Sequence, residues 1–298
     1  MKSTLTSLLL LLISVYLIII AILFFSQSSI IFFPRKIAAH QIPFLTQFKS
    51  NEITIDHDGT SLHGWFIQNE MNPENPLIIY YGGNAEEVSQ NLYDLDNFGD
   101  HSILFMNYRG YGNSDGRPGQ NALFADALFI FDFISKKYHI SPEKIILMGR
   151  SLGSAVAIHM ASQRQVKAVL LVTPFDNLIN IAKKNYPIFP IKHLLKHPFL
   201  SDQIAPRITC PMMAILGEKD QIIPNERSLA LLRKWGGKSD YLIIKNVGHN
   251  TISHTQEYWL AVNQFLLSTK KNLTKLIIFF TLLLLSTLDS TEATLYFY

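Results

Sequence analysis

The chain predicts an α/β fold: a mainly parallel eight-stranded sheet with helices on both faces and a short helical cap, preceded by an N-terminal transmembrane helix. Three observations carry this. From Asn51 onward, short β-branched or apolar runs alternate with longer stretches of helical period, the signature of a parallel sheet covered by helices. One apolar run leads straight into Gly149-Arg150-Ser151-Leu152-Gly153 and then into a helical pattern. Finally, the apolar excess sits at the two ends of the chain, where Thr4 to Phe25 gives 22 residues without a charge and Leu276 to Leu288 another 13.

A helix over Thr4 to Phe25 is roughly 33 Å long, enough to cross the hydrocarbon of a bilayer. A cleavable signal would carry a shorter apolar region and a small-residue cleavage site, whereas this run ends in Phe24-Phe25-Ser26-Gln27. Residues 1–33 are therefore expected to be an uncleaved anchor. Lys2 with the α-amine on one side roughly matches Arg35 and Lys36 on the other, so charge leaves the side of the membrane open.

Residues 34–271 form one domain-sized unit. Its first pair of runs, EITIDHDG and LHGWFIQ, alternates in character around Asp58-Gly59 and reads as an antiparallel hairpin at one sheet edge. PLIIYY, SILFMN, KIILM, AVLLV, MMAIL and YLII are near-continuous apolar runs, as strands buried on both faces should be. Residues 122–137, 152–163 and 254–269 have helical spacing, the first ending in two lysines suited to a helix C-terminus. Between Asp176 and Thr209 the four prolines 187, 190, 198 and 206 forbid one long helix. That stretch is expected to be a short helical cap lying over the sheet edge. The tail, 272–298, holds the run LIIFFTLLLLSTL, short for a span unless Lys275 snorkels. A second span there would put Lys270, Lys271, Lys275, Arg35 and Lys36 on the domain's side, favouring a cytoplasmic domain.

Composition excludes several classes. The net charge of +3, unchanged when the apolar ends are trimmed, gives no nucleic-acid footprint. The lone Cys210 excludes an intramolecular disulfide and a multi-cysteine zinc site. Aromatics at 12% argue against disorder.

The chemistry-bearing residues lie at strand ends. A strand, a sharp turn and a helix around Ser151 form the context of a nucleophile elbow, with the helix N-terminus below a developing oxyanion. Ser151 needs a base, and the base a group that fixes its tautomer. After MMAIL comes a loop with Asp220, and after YLII a loop with His249 beside Gly248. Glu218 or Asp176 could replace Asp220, and His254, opening the last helix, could replace His249. Backbone donors for an oxyanion would come from Leu152 and from the Gly82-Gly83-Asn84-Ala85 turn, with Asn84 the candidate. His193 and His197 stand at helical spacing but lack the glutamate of a metalloprotease pattern and read as cap histidines. Tyr186, Phe189 and Phe199, with Leu194 and Leu195, either line an apolar mouth for an acyl chain or pack the cap down.

With these residues in place, the chain from about Ile30 to Ser268 resembles the α/β-hydrolase superfamily. Within it, the match is to the membrane-anchored serine hydrolase branch of α/β-hydrolase domain-containing and serine aminopeptidase-like proteins. The resemblance rests on GGNAEE, NYRGYGNSDG, GRSLGSAVA, TPFDNL, NYPIFPIKHLL, CPMMAILGEKDQIIP and VGHN in that order. It implies Ser151, Asp220 and His249 as a triad, Asn84 and Leu152 as oxyanion donors, and no cofactor. Gly82 departs from the family's HGNA-type turn, where relatives carry histidine, which touches the oxyanion loop more than the triad. The expected activity is hydrolysis of carboxylic esters or thioesters at a membrane, on an acyl substrate carried by a lipid or a lipidated protein. The alternatives are an aminopeptidase or amidase on the same triad, and a non-catalytic membrane scaffold.

Overall fold

Residues 2–270 are described by the computed structural model. The sheet is built from β1 (Glu52–His57), β2 (Thr60–Ile67), β3 (Leu77–Tyr81), β4 (Ser102–Met106), β5 (Ile145–Arg150), β6 (Ala168–Val172), β7 (Met212–Gly217) and β8 (Ser239–Ile244). Its order is β1-β2-β4-β3-β5-β6-β7-β8. The hairpin β1/β2 is antiparallel and closes at His57↔Thr60. Asp58 and Gly59 both take positive φ there, 51° and 72°, as a two-residue turn matched to strand twist requires. Strand β2 meets β4 antiparallel, and every pairing from β4 to β8 is parallel.

The alternation of side chains along the central strands divides the core between two faces. In β3, Leu77, Ile79 and Tyr81 join one cluster with Phe131 and Val156, while Ile78 and Tyr80 join another with Val262 and Leu266. Both faces are covered, so β3 and β6 are buried at every position. The first face is covered by α3 (Gln120–Lys137) and α4 (Leu152–Gln163), the second by the 3-10 segment Val88–Phe98 and α9 (Gln256–Thr269). Strand β8 departs from the expectation of burial on both faces: it is the sheet edge, and Tyr241, Leu242 and Ile243 remain partly exposed. His254 closes a 3-10 turn rather than opening the last helix; Thr255 caps α9 by accepting from the Tyr258 amide at 3.3 Å.

The N-terminal helix α1 (Lys2–Ile31) is followed by a single turn, α2 (Ile42–Leu45), with Pro43 in its first turn. Among the described residues one helical stretch, Ser3–Ile31, is long and apolar enough to cross a membrane. Phe32, just past α1, is 2% exposed in the core; burying such a ring is worth about 1.5–3 kcal/mol and holds the end of α1 to the domain.

The cap contains α5 (Leu178–Asn185), α6 (Ile191–Leu194) and α7 (Ser201–Ile204). Asn177 caps α5 through the Asn180 amide at 2.9 Å, and Pro190 directly precedes α6. The prolines do break the segment into short helices. The cap does not lie over the sheet edge, however: Leu178, Ile181 and Ala182 sit above Ser151, at the C-terminal ends of the strands. A helix between β7 and β8, α8 (Asn225–Leu232), completes the domain. The apolar run at 276–288 lies outside the described residues.

Candidate active site

Strand β5 ends at Arg150, and Ser151 takes φ 51° and ψ −117° before α4 begins at Leu152. This is a strained conformation for a residue with a side chain, and neighbouring bonds hold it. The Ser151 amide donates to the Val172 carbonyl at 2.9 Å, and its carbonyl accepts from Ser154 Oγ at 2.6 Å. Both flanking glycines are sterically obligatory. A Cβ on Gly149 would fall 2.5 Å from the Gly153 oxygen, and one on Gly153 only 2.0 Å from the Tyr81 oxygen. The two glycines thus let α4 press against the ends of β3 and β5.

The loops after β7 and β8 bring the other two residues in. The Lys219 amide donates to the Val247 carbonyl at 2.8 Å, and the Asn246 amide to Glu218 Oε2 at 2.8 Å. These bonds lock one loop to the other. Asp220 Oδ1 accepts the amides of Ile222 and Ile223 at 2.9 and 2.8 Å, leaving Oδ2 to His249 Nδ1 at 2.7 Å. A nitrogen facing a carboxylate carries the proton, so Nε2 is the acceptor and Ser151 Oγ donates to it at 2.9 Å. Asp220 and His249 are each 8% exposed.

The alternatives are placed elsewhere. Asp176 is buried against Arg227 and Asn180, at 3.1 and 2.7 Å. Glu218 serves the Asn246 amide. His197 meets Ser28 Oγ at 2.9 Å and the Gln120 amide at 3.3 Å, so its two ring nitrogens join the cap to α1 and to the body. Phe199 is fully buried against Phe32 and Phe124 and lines no opening, whereas Tyr186 and Leu195 face the cleft.

The Gly82-Asn84 turn is held from three sides. Tyr108 Oη donates to the Gly82 carbonyl at 2.9 Å and Tyr111 Oη to the Asn84 carbonyl at 2.6 Å, which gives the tyrosines of NYRGYG their purpose. The third support is Glu86, which the sequence did not single out. Its carboxylate accepts from the Gly83 amide at 2.8 Å, Tyr80 Oη at 2.7 Å and Asn91 Nδ2 at 2.8 Å, with Arg150 Nη1 at 3.4 Å. A Cβ on Gly82 would lie 3.3 Å from the Glu86 carboxyl carbon, so Glu86 crowds the space a side chain at 82 would enter. Burial first and the Glu86 carboxylate second push the Tyr80 phenol well above its ordinary pKa, keeping it a donor. The Gly83 carbonyl accepts from the Glu86 amide at 3.4 Å. A trans peptide then sends the Asn84 N–H the opposite way. Leu152, first in α4, brings an N–H with no intrahelical acceptor.

Ser151, His249, Asn84 and Leu152 border one cleft of about 500 Å³, whose walls include Ile30 and Ile31 of the N-terminal helix and Leu178, Ile181 and Leu195 of the cap. A hydroxyl on a neutral imidazole, an imidazole on a carboxylate, and backbone donors at a helix N-terminus can together perform nucleophilic acyl transfer.

Comparison with known proteins bears on the family and the fold. Residues 131–268 match the family model described as serine hydrolase. An uncharacterised protein of Mycobacterium tuberculosis is 30% identical over 230 residues, spanning 75% of this chain and 80% of its own. Mouse α/β-hydrolase domain-containing protein 17C is 28% identical over 196 residues, covering 63% of this chain and 59% of its own. Among solved structures, a Pyrococcus furiosus esterase superposes with a TM-score of 0.62 at 18% identity, over 78% of this chain and 98% of its own.

Proposed function

The chain belongs to the α/β-hydrolase superfamily, and on that premise we propose that it is a membrane-anchored serine hydrolase of carboxylic esters or thioesters. The observation that carries this reading is the unbroken hydrogen-bonded line Ser151, His249, Asp220, at 2.9 and 2.7 Å. Ser151 Oγ attacks the acyl carbon while its proton passes to His249 Nε2. The carbonyl oxygen becomes an oxyanion between the Asn84 and Leu152 amides, a placement in which preorganised donors stabilise developing charge. As the tetrahedral intermediate collapses, the bond to the leaving oxygen or sulfur breaks, and His249 returns the proton to that atom. Water then repeats the attack on the acyl-enzyme, giving the free acid and restoring Ser151. Asp220 holds the imidazole in the productive tautomer throughout.

Membrane anchoring is supported by the contacts of α1. A helix destined for removal has no need of specific partners, yet Tyr16 Oη donates to the Ile188 carbonyl at 2.8 Å and Gln27 accepts from the Lys196 amide at 2.6 Å. The test is labelling of membranes holding the full chain with a fluorophosphonate. Ser151 displaces fluoride from phosphorus, so wild type labels and Ser151→Ala does not. Folded wild type that resists the probe would overturn the reading in favour of a scaffold.

A further inference from the structure

The cleft has two ends of opposite chemistry. Towards α1 it shares Ile30, Ala182 and Leu195 with a second, smaller cavity of about 110 Å³, almost wholly apolar, that continues between α1 and the cap to Leu23 and Phe24. At another end it shares Glu86, Gln90 and Arg150 with a polar basin of about 570 Å³ that holds His40, Asp94 and His254. The apolar cavity and the polar basin have no wall in common.

The dimensions of α1 place the apolar end at a membrane. Its 30 residues are about 45 Å long, against about 30 Å of bilayer hydrocarbon. The surplus of about 15 Å is ten residues, and the last ten, 22–31, are the stretch that lines the cavity and packs on the cap. Lys196 Nζ stands 4.0 Å over the Phe24 ring, a cation–π contact between the cap and α1. Farther down, Tyr16 stacks on Phe189 with centroids 5.5 Å apart, six residues or roughly 9 Å below residue 22. The cap tip would thus dip into the acyl layer by the depth at which interfacial segments bury. It is equipped to do so, since Ile188 is 71% exposed and Tyr186 40%, while Lys183, Lys184 and Lys192 beside them are exposed cations suited to headgroups.

We propose that α1 is a wall of the acyl-binding site as well as an anchor. The acyl chain of a bilayer-resident amphiphile passes from the membrane along the channel between α1 and the cap to Ser151, while its polar leaving group occupies the basin beside Arg150. The inference rests on the serine hydrolase reading and names the substrate class and route for that site. From Leu23 to Ile31 the channel wall runs roughly 12 Å, so the site favours long acyl chains over short ones.

The experiment uses the full chain in phosphatidylcholine nanodiscs and a long-chain alkyl fluorophosphonate whose tail ends in a diazirine. Once Ser151 has displaced fluoride, photolysis attaches the tail to whatever lines its path. The expected cross-links fall on 23–31 of α1 or on Leu194 and Leu195. In parallel, Ala182→Trp, which plugs the junction of cleft and channel, is expected to lower the ratio of kcat/KM for palmitoyl over butyryl esters at least tenfold. Leu9→Trp, on α1 far from the channel, leaves that ratio unchanged. Labelling of Ser151 with cross-links only outside α1 and the cap, or an unchanged ratio in Ala182→Trp, overturns the channel and leaves the hydrolase standing. Wild type that no fluorophosphonate labels, short or long, removes the hydrolase reading and the channel with it.

Discussion

Glu86 should control the rate without touching the reacting atoms. Three donors lie within 2.8 Å of its carboxylate, the Gly83 amide, Tyr80 Oη and Asn91 Nδ2, and Glu86→Ala removes the acceptor from all of them. Hydrogen bonds to a charged group are worth about 1.5–3 kcal/mol each. Water refilling the space returns part of that, so a stability loss of about 4 kcal/mol is expected. The Gly82-Gly83 peptide then keeps only the Tyr108 bond to its carbonyl, the turn that carries the Asn84 N–H loosens, and an oxyanion donor is misaligned. Deleting one such donor outright lowers kcat by about 10²–10³, and a loosened amide sits at the lower limit, about 100-fold. Glu86→Gln keeps the shape but presents one oxygen and one NH₂. With its oxygen on Gly83 it preserves the critical bond, and Tyr80 can turn to accept; it should lose only about tenfold. The assay is steady-state hydrolysis of a short p-nitrophenyl ester with thermal melting in parallel. The effect should fall on kcat with KM nearly constant, since the oxyanion exists only in the transition state. A folded Glu86→Ala protein with kcat within threefold of wild type would falsify the idea that this carboxylate positions the turn.

Further outcomes follow from the same geometry. Asp220→Asn should cut kcat by about 10⁴, because an amide permits the wrong imidazole tautomer; a loss below tenfold in stopped-time assays would point to another carboxylate. Gly153→Ala drives a Cβ to within 2.0 Å of the Tyr81 oxygen. The β3 end and α4 must therefore part, with a stability loss of about 1–3 kcal/mol and about 100-fold in kcat, read by calorimetry and ester turnover; wild-type values for both would refute the close approach. Burial holds the imidazoles of His63, His101, His159 and His197 below the ordinary value of 6.5. The unfolded chain then binds more protons than the folded one just below that pH, so stability should rise with pH through the window and decline as pH falls below about 6.5. A melting temperature that is flat between neutrality and pH about 5 would contradict the assignment.

How much of this was legible in the sequence varies by element for physical reasons. The run KIILM could only be a central strand, and Ser151 marked its end, because the glycines on either side serve a contact that tolerates no side chain. The order Ser151, Asp220, His249 was readable since each follows an apolar strand. Tyr241 to Ile243 were misjudged because an edge strand and a buried one carry the same apolar letters, and only pairing tells them apart. Nothing in the sequence singles out Glu86 and Glu87, two adjacent acids behind a turn. Both turn inward: Glu87 accepts from Asn107 Nδ2 at 2.9 Å and from the Ser89 amide and hydroxyl. The available signal was two adjacent acids directly behind a Gly-Gly turn, whose bare amides need acceptors. The lining of the cap was half readable, since aromatic letters mark burial without saying whether the neighbour is core, as for Phe199, or a cavity, as for Tyr186.

The hydrogen bond between Ser151 and His249 joins residues 98 positions apart in the chain, while the nucleophile's strand and the base's strand are separated in the sheet by β6 and β7. During synthesis the residues of the elbow are made long before His249. On the proposed reading, Ser151 is an ordinary hydroxyl until the last strand has docked and brought His249 to it. Its reactivity then depends on the folding of the chain from β5 to β8. On the same reading a copy cut short before His249 is inert, and covalent labelling of Ser151 doubles as a count of finished chains.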